Sequence, residues 1–359
     1  MLIDPREAFL LLLSVCSWAF AAACLFLFVL NRRLIQMRDT RHKSWLVRVG
    51  ALTSVGCAGM LGYFAAGTLW MLLPMVVLTA VTLGEARRLF IRRRCRGEPP
   101  VAAENAGVSW RTPITTMDLA IFRYEVHVPA WRGSNLRIAH VSDFHINSHL
   151  PLAYFADAMK RVAAAKPDLI FMTGDFVTHP ECAELLPGIL SLARGRLGTF
   201  GILGNHDDWA GRDVVAAAVR SAGVTLLGNA CERVDTDDGA DLVVYGCEEP
   251  WTRSPWQAPT PSPGQLALML THTPDNVYRL SRQGFAAIFA GHYHGGQMRI
   301  PRFGALVVPS NYGRRFDHGH FVLHGTHLFV TAGVGSAEPP LRVWCQPDVF
   351  IVDIVGQHG

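Results

Sequence analysis

Five short polar motifs, each set at the end of an apolar, strand-like run, constrain this chain more than anything else in it. They are Asp143-Phe-His145, Gly174-Asp175, Gly204-Asn205-His206-Asp207, Thr271-His272 and Gly291-His292-Tyr-His294-Gly295-Gly296. The runs before them are Leu136–Ser142, Asp168–Thr173, Thr199–Leu203, Leu266–Leu270 and Ala286–Ala290, with a further strand expected at Leu242–Tyr245. Helical patterns over Leu152–Ala165, near Cys182–Ala193 and near Asp213–Ala222 alternate with the first three runs. Such alternation predicts an α/β fold with a layered sheet, and the chain after residue 298 reads as β-rich. Ligand sites in open α/β sheets lie beyond the carboxyl ends of the strands. Eight polar side chains are therefore expected on one rim: Asp143, His145, Asp175, Asn205, His206, His272, His292 and His294.

Any one of these motifs arises readily by chance, and a lone Asp or Asn there reads as an ordinary turn residue. All five in order do not. They supply Asp, Asn and His in the numbers that two divalent metals require. Mixed imidazole and carboxylate donors suit Mn, Fe or Zn better than Ca. For the remaining histidines, such as His140, His318 and His320, structural roles are expected.

Charge divides the chain unevenly. Residues 31–97 contain 12 Arg and Lys, among them Arg32, Arg33, Arg38, Arg87 and Arg92–Arg94, against Asp39 and Glu85. The overall formal charge is only +4, so residues 98–359 are net negative. This argues against a nucleic-acid-binding domain, which needs positive charge on its folded surface. The basic residues instead flank two apolar stretches. Ala8 to Leu30 is an uncharged run that measures about 34 Å as a helix, enough to cross a hydrocarbon core. Its leading Asp4-Pro-Arg6-Glu7 is net negative, which favours an anchor over a cleaved leader. A second uncharged stretch, residues 49–83, is too long for one simple span. Gly56, Gly59, Gly62, Gly67 and Pro74 suggest that it bends, re-enters or crosses twice. Positive flanks mark the cytoplasmic side, so a return of this stretch to its starting face would keep both flanks and the catalytic domain in the cytoplasm. The eight cysteines show no paired metal-type spacing and fit a reducing compartment. The expected division is an anchor at 1–97, a Pro- and Gly-rich linker at 98–111, and a globular domain at 112–359.

The five motifs together resemble the signature of the calcineurin-like metallophosphoesterases. The resemblance covers roughly residues 112–359 and implies a layered β-sandwich flanked by helices, with the N-terminal helical anchor outside it. It assigns Asp175 as the carboxylate that bridges two metals. It gives Asp143, His145 and His294 to one metal and Asn205, His272 and His292 to the other, with Mn ahead of Fe or Zn. It makes His206 the general acid, with Asp207 the nearest residue to support it. Phosphoprotein phosphatases of the superfamily carry a second Asp after the Gly-Asp motif, where this chain reads Phe-Val-Thr178.

Within the superfamily, Leu270-Thr-His272-Thr-Pro-Asp275, His294-Gly-Gly-Gln297 and Pro309-Ser-Asn-Tyr-Gly313 resemble a bacterial branch of small, often membrane-associated phosphohydrolases. Tyr293 stands where that branch more usually has Thr. The branch includes UDP-2,3-diacylglucosamine pyrophosphatases of lipid A synthesis. It implies a two-metal phosphodiesterase or pyrophosphatase at the inner membrane, acting on a lipid-linked phosphoester. Asn311 and Arg314 are candidates to meet the substrate phosphate. Two alternatives stand beside this reading: a phosphodiesterase of soluble or cyclic nucleotides, and a non-catalytic scaffold of the same fold. Scaffolds lose ligands or the histidine, and here the seven ligands and His206 all remain.

Overall fold

The computed structural model describes residues 4–30, 34–37, 41–252 and 256–356; Arg32, Arg33, Arg38 and Asp39 of the first basic flank lie outside the described residues. The chain forms two compact units. One holds the described residues up to Arg94 together with Leu306–Arg315. The other holds Cys95–Ala305 and the described residues from Phe316 onward.

The first unit contains α1 (Pro5–Leu25), α2 (Arg41–Ala65) and α3 (Leu73–Arg94). Three stretches, Pro5–Val29, His42–Ala65 and Leu69–Arg94, are long and apolar enough to cross a membrane by length and composition. The break in the second apolar stretch falls at a single place. Helix α2 runs straight through Gly56, Gly59 and Gly62, and the turn comes at Gly67, whose φ is +72°. Pro74 causes no bend because it is the second residue of α3, where a missing N–H costs nothing. Gly62 has a packing reason instead. A Cβ there would lie 2.7 Å from Val15 Cα, and the Ser14 hydroxyl donates to the Gly62 carbonyl at 2.7 Å. Close approach of this kind is how small residues let apolar helices pack.

The second unit is built on two mixed sheets. Its strands in chain order are β1 (Ala102–Glu104), β2 (Ala120–Val128), β3 (Leu136–Val141), β4 (Leu169–Met172), β5 (Gly198–Gly201) and β6 (Thr225–Leu226). They continue with β7 (Cys231–Val234), β8 (Leu242–Cys247), β9 (Leu266–Thr271), β10 (Ala287–Ala290), β11 (Arg299–Ile300) and β12 (Gly304–Ala305). The last are β13 (Gly319–Leu323), β14 (Thr326–Val330) and β15 (Asp348–Gly356). One sheet has the order β1-β2-β15-β3-β4-β5-β6 and the other β13-β14-β10-β9-β8-β7, with β11-β12 as a separate pair. Strands β3, β4 and β5 are parallel, as are β8, β9 and β10.

Side-chain alternation explains the layers. Ile138, Leu169, Phe171 and Phe200 of the first sheet face Leu266, Leu268, Leu270 and Phe289 of the second in one core. Their neighbours Ala139, Ile170 and Met172 point the other way, into a core shared with α4 (Leu152–Ala164), α5 (Leu186–Leu190) and α6 (Asn205–Ser221). This is the expected β-sandwich flanked by helices. Two details differ from expectation. The segment 98–111 contains β1, which pairs with β2. Strand β2 itself, alternating buried Tyr124, Val126 and Val128 with exposed neighbours, was not expected.

Candidate metal centre

The motifs sit where the parallel strands end. Asp143 and His145 follow β3, Asp175 follows β4, Asn205 and His206 open α6 just after β5, and His272 follows β9. His292 and His294 follow β10. Two groups of ligand atoms result. Asp143, His145, Asp175 and His294 each offer one atom, all within 4.8 Å of one another, and Asp175, His272 and His292 do the same. Asp175 belongs to both groups. Its Oδ2 lies 3.4 Å from His145 Nε2 and 3.1 Å from His272 Nε2. Its Oδ1 accepts the His206 amide at 2.8 Å, so the N-terminus of α6 fixes the shared carboxylate. Gly204 allows this, since a Cβ there would lie 2.2 Å from Asp175 Oδ1.

Ring orientation is set by groups behind the histidines. His272 Nδ1 lies 2.6 Å from the Thr173 carbonyl, which makes it the donor and leaves Nε2, the atom facing Asp175, to take a proton or a cation. Thr178 Oγ1 lies 3.3 Å from His145 Nδ1. The backbone is unusual at the same residues. Asp143, His145, Asp175, His292 and His294 all have positive φ, between +45° and +67°. Left-handed backbone costs a non-glycine residue of order 1 kcal/mol, and a cluster of such residues marks a site whose geometry is imposed by its surroundings.

Electrostatics favour a cation here. Burial raises the Asp143 carboxyl, and the neighbouring Asp175 carboxylate adds to the rise against the pull of His272. Burial would raise Asp175 too, but the His272 and His206 imidazoles and hydrogen bonds from His145 and His272 hold it well below the usual carboxylate range. His292 and His294 are pushed well down by burial and by neighbouring imidazoles, which keeps them neutral, as ligation requires. Burial opposes protonation of His272, but Asp175 and Asp143 lift it to about 9. A proton on that ring and a divalent cation answer the same pair of carboxylates. Asn205 supplies the clearest test of fit: its Oδ1 is buried with no hydrogen-bond partner among the described residues. A buried acceptor of this kind requires a donor or a cation. The residues present fit a pair of divalent metals.

The expected residues divide as follows. The six Asp and His candidates form the two groups, and Asn205 and His206 stand at the helix start beside Asp175. The His206 ring is 4.5 Å from that of His145 and 4.6 Å from that of Trp209. Asp207 has a structural task that the sequence did not suggest. Its Oδ2 accepts the amides of Asp175 and Gly204 and its Oδ1 those of Phe176 and Val177, at 2.8–3.3 Å. The side chain therefore ties the Asp175 loop to the start of α6. Burial and the Asp175 carboxylate push it up to about 7. Asn311 and Arg314 fall in the N-terminal unit, where Arg314 pairs with Glu85 at 2.6 Å.

Three residues at the site went unread in the sequence. Arg342 is fully buried and donates to the carbonyls of His294, Ala332, Gly333 and Gly335, clamping the loop that carries His294. Trp251 packs edge-on against His272 and His292, with centroids 5.2 and 5.1 Å away. Trp209 covers His206. No motif surrounds Arg342 or Trp251, and Trp209 lies just beyond the Gly204–Asp207 motif.

The comparisons with known proteins agree with this centre. Residues 136–296 match the family described as calcineurin-like phosphoesterase, and the chain carries a calcineurin-like metallophosphoesterase domain. It is 28% identical over 224 residues to phosphodiesterase YaeI of Escherichia coli, covering 61% of this chain and 82% of that protein. It is 26% identical over 222 residues to the metallophosphoesterase YkuE of Bacillus subtilis, covering 60% and 77%. UDP-2,3-diacylglucosamine pyrophosphatase LpxG of Chlamydia trachomatis is 24% identical over 217 residues, covering 46% of this chain and 65% of that protein. The chain is thus a metal-dependent phosphoesterase with phosphodiesterase relatives.

Proposed function

We propose that this protein is a membrane-anchored, two-metal phosphodiesterase or pyrophosphatase whose substrate is a lipid-linked phosphoester such as UDP-2,3-diacylglucosamine. The observation that carries the reading is the pair of buried ligand groups joined through Asp175. On this reading Asp143, His145 and His294 would hold one metal and Asn205, His272 and His292 the other, with Asp175 available to both. Mn is the metal we expect, ahead of Fe or Zn. Metals held there would supply an acidified water and charge neutralisation for the phosphoryl oxygens.

The protein's own groups do the rest. His206, half-buried at the start of α6, donates a proton to the leaving oxygen. Asp207 holds the Asp175 loop and the His206 backbone in register. Trp251 and Trp209 shield the imidazoles on either side from water.

The anchor reading is supported by the three apolar helices. Three crossings would return both basic flanks to one face, and the positive charge would make that face cytoplasmic. The lipid A assignment is supported by the similarity to LpxG alone.

Hydrolysis of UDP-2,3-diacylglucosamine by the full-length chain in mixed micelles with Mn tests the proposal, with uridine monophosphate as the product followed. Turnover that Asp175→Asn lacks supports it. Cleavage of a simple aryl phosphodiester without turnover of the lipid keeps the chemistry and discards the lipid substrate.

A further inference from the structure

The N-terminal unit holds a half-open cavity of about 450 Å³. Phe28, Ala80, Val81 and Val308 give it apolar walls, and Glu85, Arg87, Arg88, Arg314 and Arg315 line the rest of it. Arg88 Nε and Arg314 Nη2 converge on the same Glu85 oxygen, at 2.8 and 2.6 Å. Both guanidiniums are nearly buried, 7% and 5% exposed, and Arg314 also lies 4.9 Å over the Phe28 ring. Among the described lining residues, four arginines therefore stand against one carboxylate.

Charge and shape together restrict the occupant. The positive side calls for an anion, and guanidinium groups match phosphate oxygens in a planar fork. The apolar side calls for hydrocarbon, because a small soluble anion would leave that wall against water. The basic side belongs to the arginine-rich end of α3, where a membrane-length helix would meet the headgroup layer. We propose that the cavity binds one anionic glycerophospholipid, with its phosphate on Arg87, Arg88 and Arg315 and an acyl chain along Phe28, Ala80 and Val81. The proposal rests on the membrane anchoring proposed above and not on the identity of the substrate.

Native mass spectrometry of the full-length chain in detergent tests it, with phosphatidylglycerol, phosphatidylcholine and inorganic phosphate as separate additions. One phosphatidylglycerol per chain is expected to stay bound, about tenfold in preference to phosphatidylcholine, with inorganic phosphate unable to displace it. Ala80→Trp, which fills the cavity, and Arg87→Gln, which removes charge from an exposed position, should each lower occupancy by about tenfold. Equal binding of the two lipids, displacement by phosphate, or full occupancy in Arg87→Gln would overturn the proposal. Flotation with phosphatidylcholine vesicles reads the anchor separately. A chain that fails to float loses the anchor and this site together, whereas a floating chain without lipid preference loses only the site.

Discussion

The Tyr293 hydroxyl donates to the Asp275 carboxylate, linking the loop after β10 to the loop after β9. Each loop carries ligand candidates, His292 and His294 on one and His272 on the other, and this bond holds their spacing together with the Gly291 amide, which donates to the His272 carbonyl at 3.0 Å. Tyr293 is buried, 2% exposed. A hydrogen bond to a charged group is worth about 1.5–3 kcal/mol. Tyr293→Phe should therefore lower unfolding stability by about 2 kcal/mol and weaken metal retention. Chemical denaturation and metal content after dialysis check both, and an unchanged midpoint would show that the tie has no consequence.

Asp207→Asn should act through the loop and not through proton transfer. Replacing one oxygen by an amide nitrogen turns an acceptor of two backbone N–H groups into a donor facing them. Leaving two buried amides without a partner costs about 2–6 kcal/mol. The variant is expected to lose metal along with stability, with a pH–rate profile of the same shape as wild type in whatever active fraction remains. A shifted profile with intact metal content would instead restore the expected support of His206.

His206→Ala and Asp175→Asn should separate chemistry from assembly. The first is expected to retain metal and to lose about 10²–10⁴-fold in kcat, the usual contribution of a positioned acid. The second should lose metal and activity together, because Asp175 serves both groups. Elemental analysis of each variant beside its diester hydrolysis rate distinguishes them. A fully active His206→Ala would remove that residue from the mechanism.

Three histidines away from the metal groups make the fold sensitive to acid. Burial pushes His140 down to about 3 despite Asp348, and burial with the His327 ring pushes His320 down to about 4. Burial lowers His327 as well. All three are neutral in the folded chain, whereas the unfolded chain takes up protons below about pH 6.5. Their contribution to stability is present above that pH and falls as pH drops from about 6.5 toward about 4. The His320 ring stacks on Phe329 at 4.5 Å with 7° between the planes, so His320→Phe can keep the packing. Denaturation midpoints across this range should slope less steeply in the variant. Parallel slopes would show that His320 does not titrate with unfolding.

Much of the centre was legible because its ligands stand within a few residues of the apolar runs that become β3, β4, β5, β9 and β10. Local adjacency of that kind survives in a linear reading. Arg342 did not, since its partners are carbonyls of residues 294 and 332–335 that only the fold brings round it. The loop-tying role of Asp207 was missed for a related reason. Its neighbour in sequence is His206, but its hydrogen bonds go to the loop at 175–177. A helix was expected near Asp213–Ala222 and runs there after a break at Gly211, whose φ is +117°. The short helical segment from Asn205 before that break was missed, because Asn-His-Asp-Asp reads as a loop until its N-terminus is seen to hold Asp175. The grouping of Leu306–Arg315 with the N-terminal helices had no sequence signal at all.

The five positive-φ ligand candidates bear on how inactive forms of this protein should be built. Asp, Asn and His tolerate a left-handed backbone better than most other side-chain-bearing residues. At these positions the chain selects for backbone compliance as well as for donor atoms. An alanine scan would therefore charge each position twice, once for the lost donor and once for the conformation. Asparagine replacements at Asp143, His145, Asp175, His292 and His294 remove or weaken ligation while keeping the turn, and they are the forms in which a substrate could be trapped uncleaved.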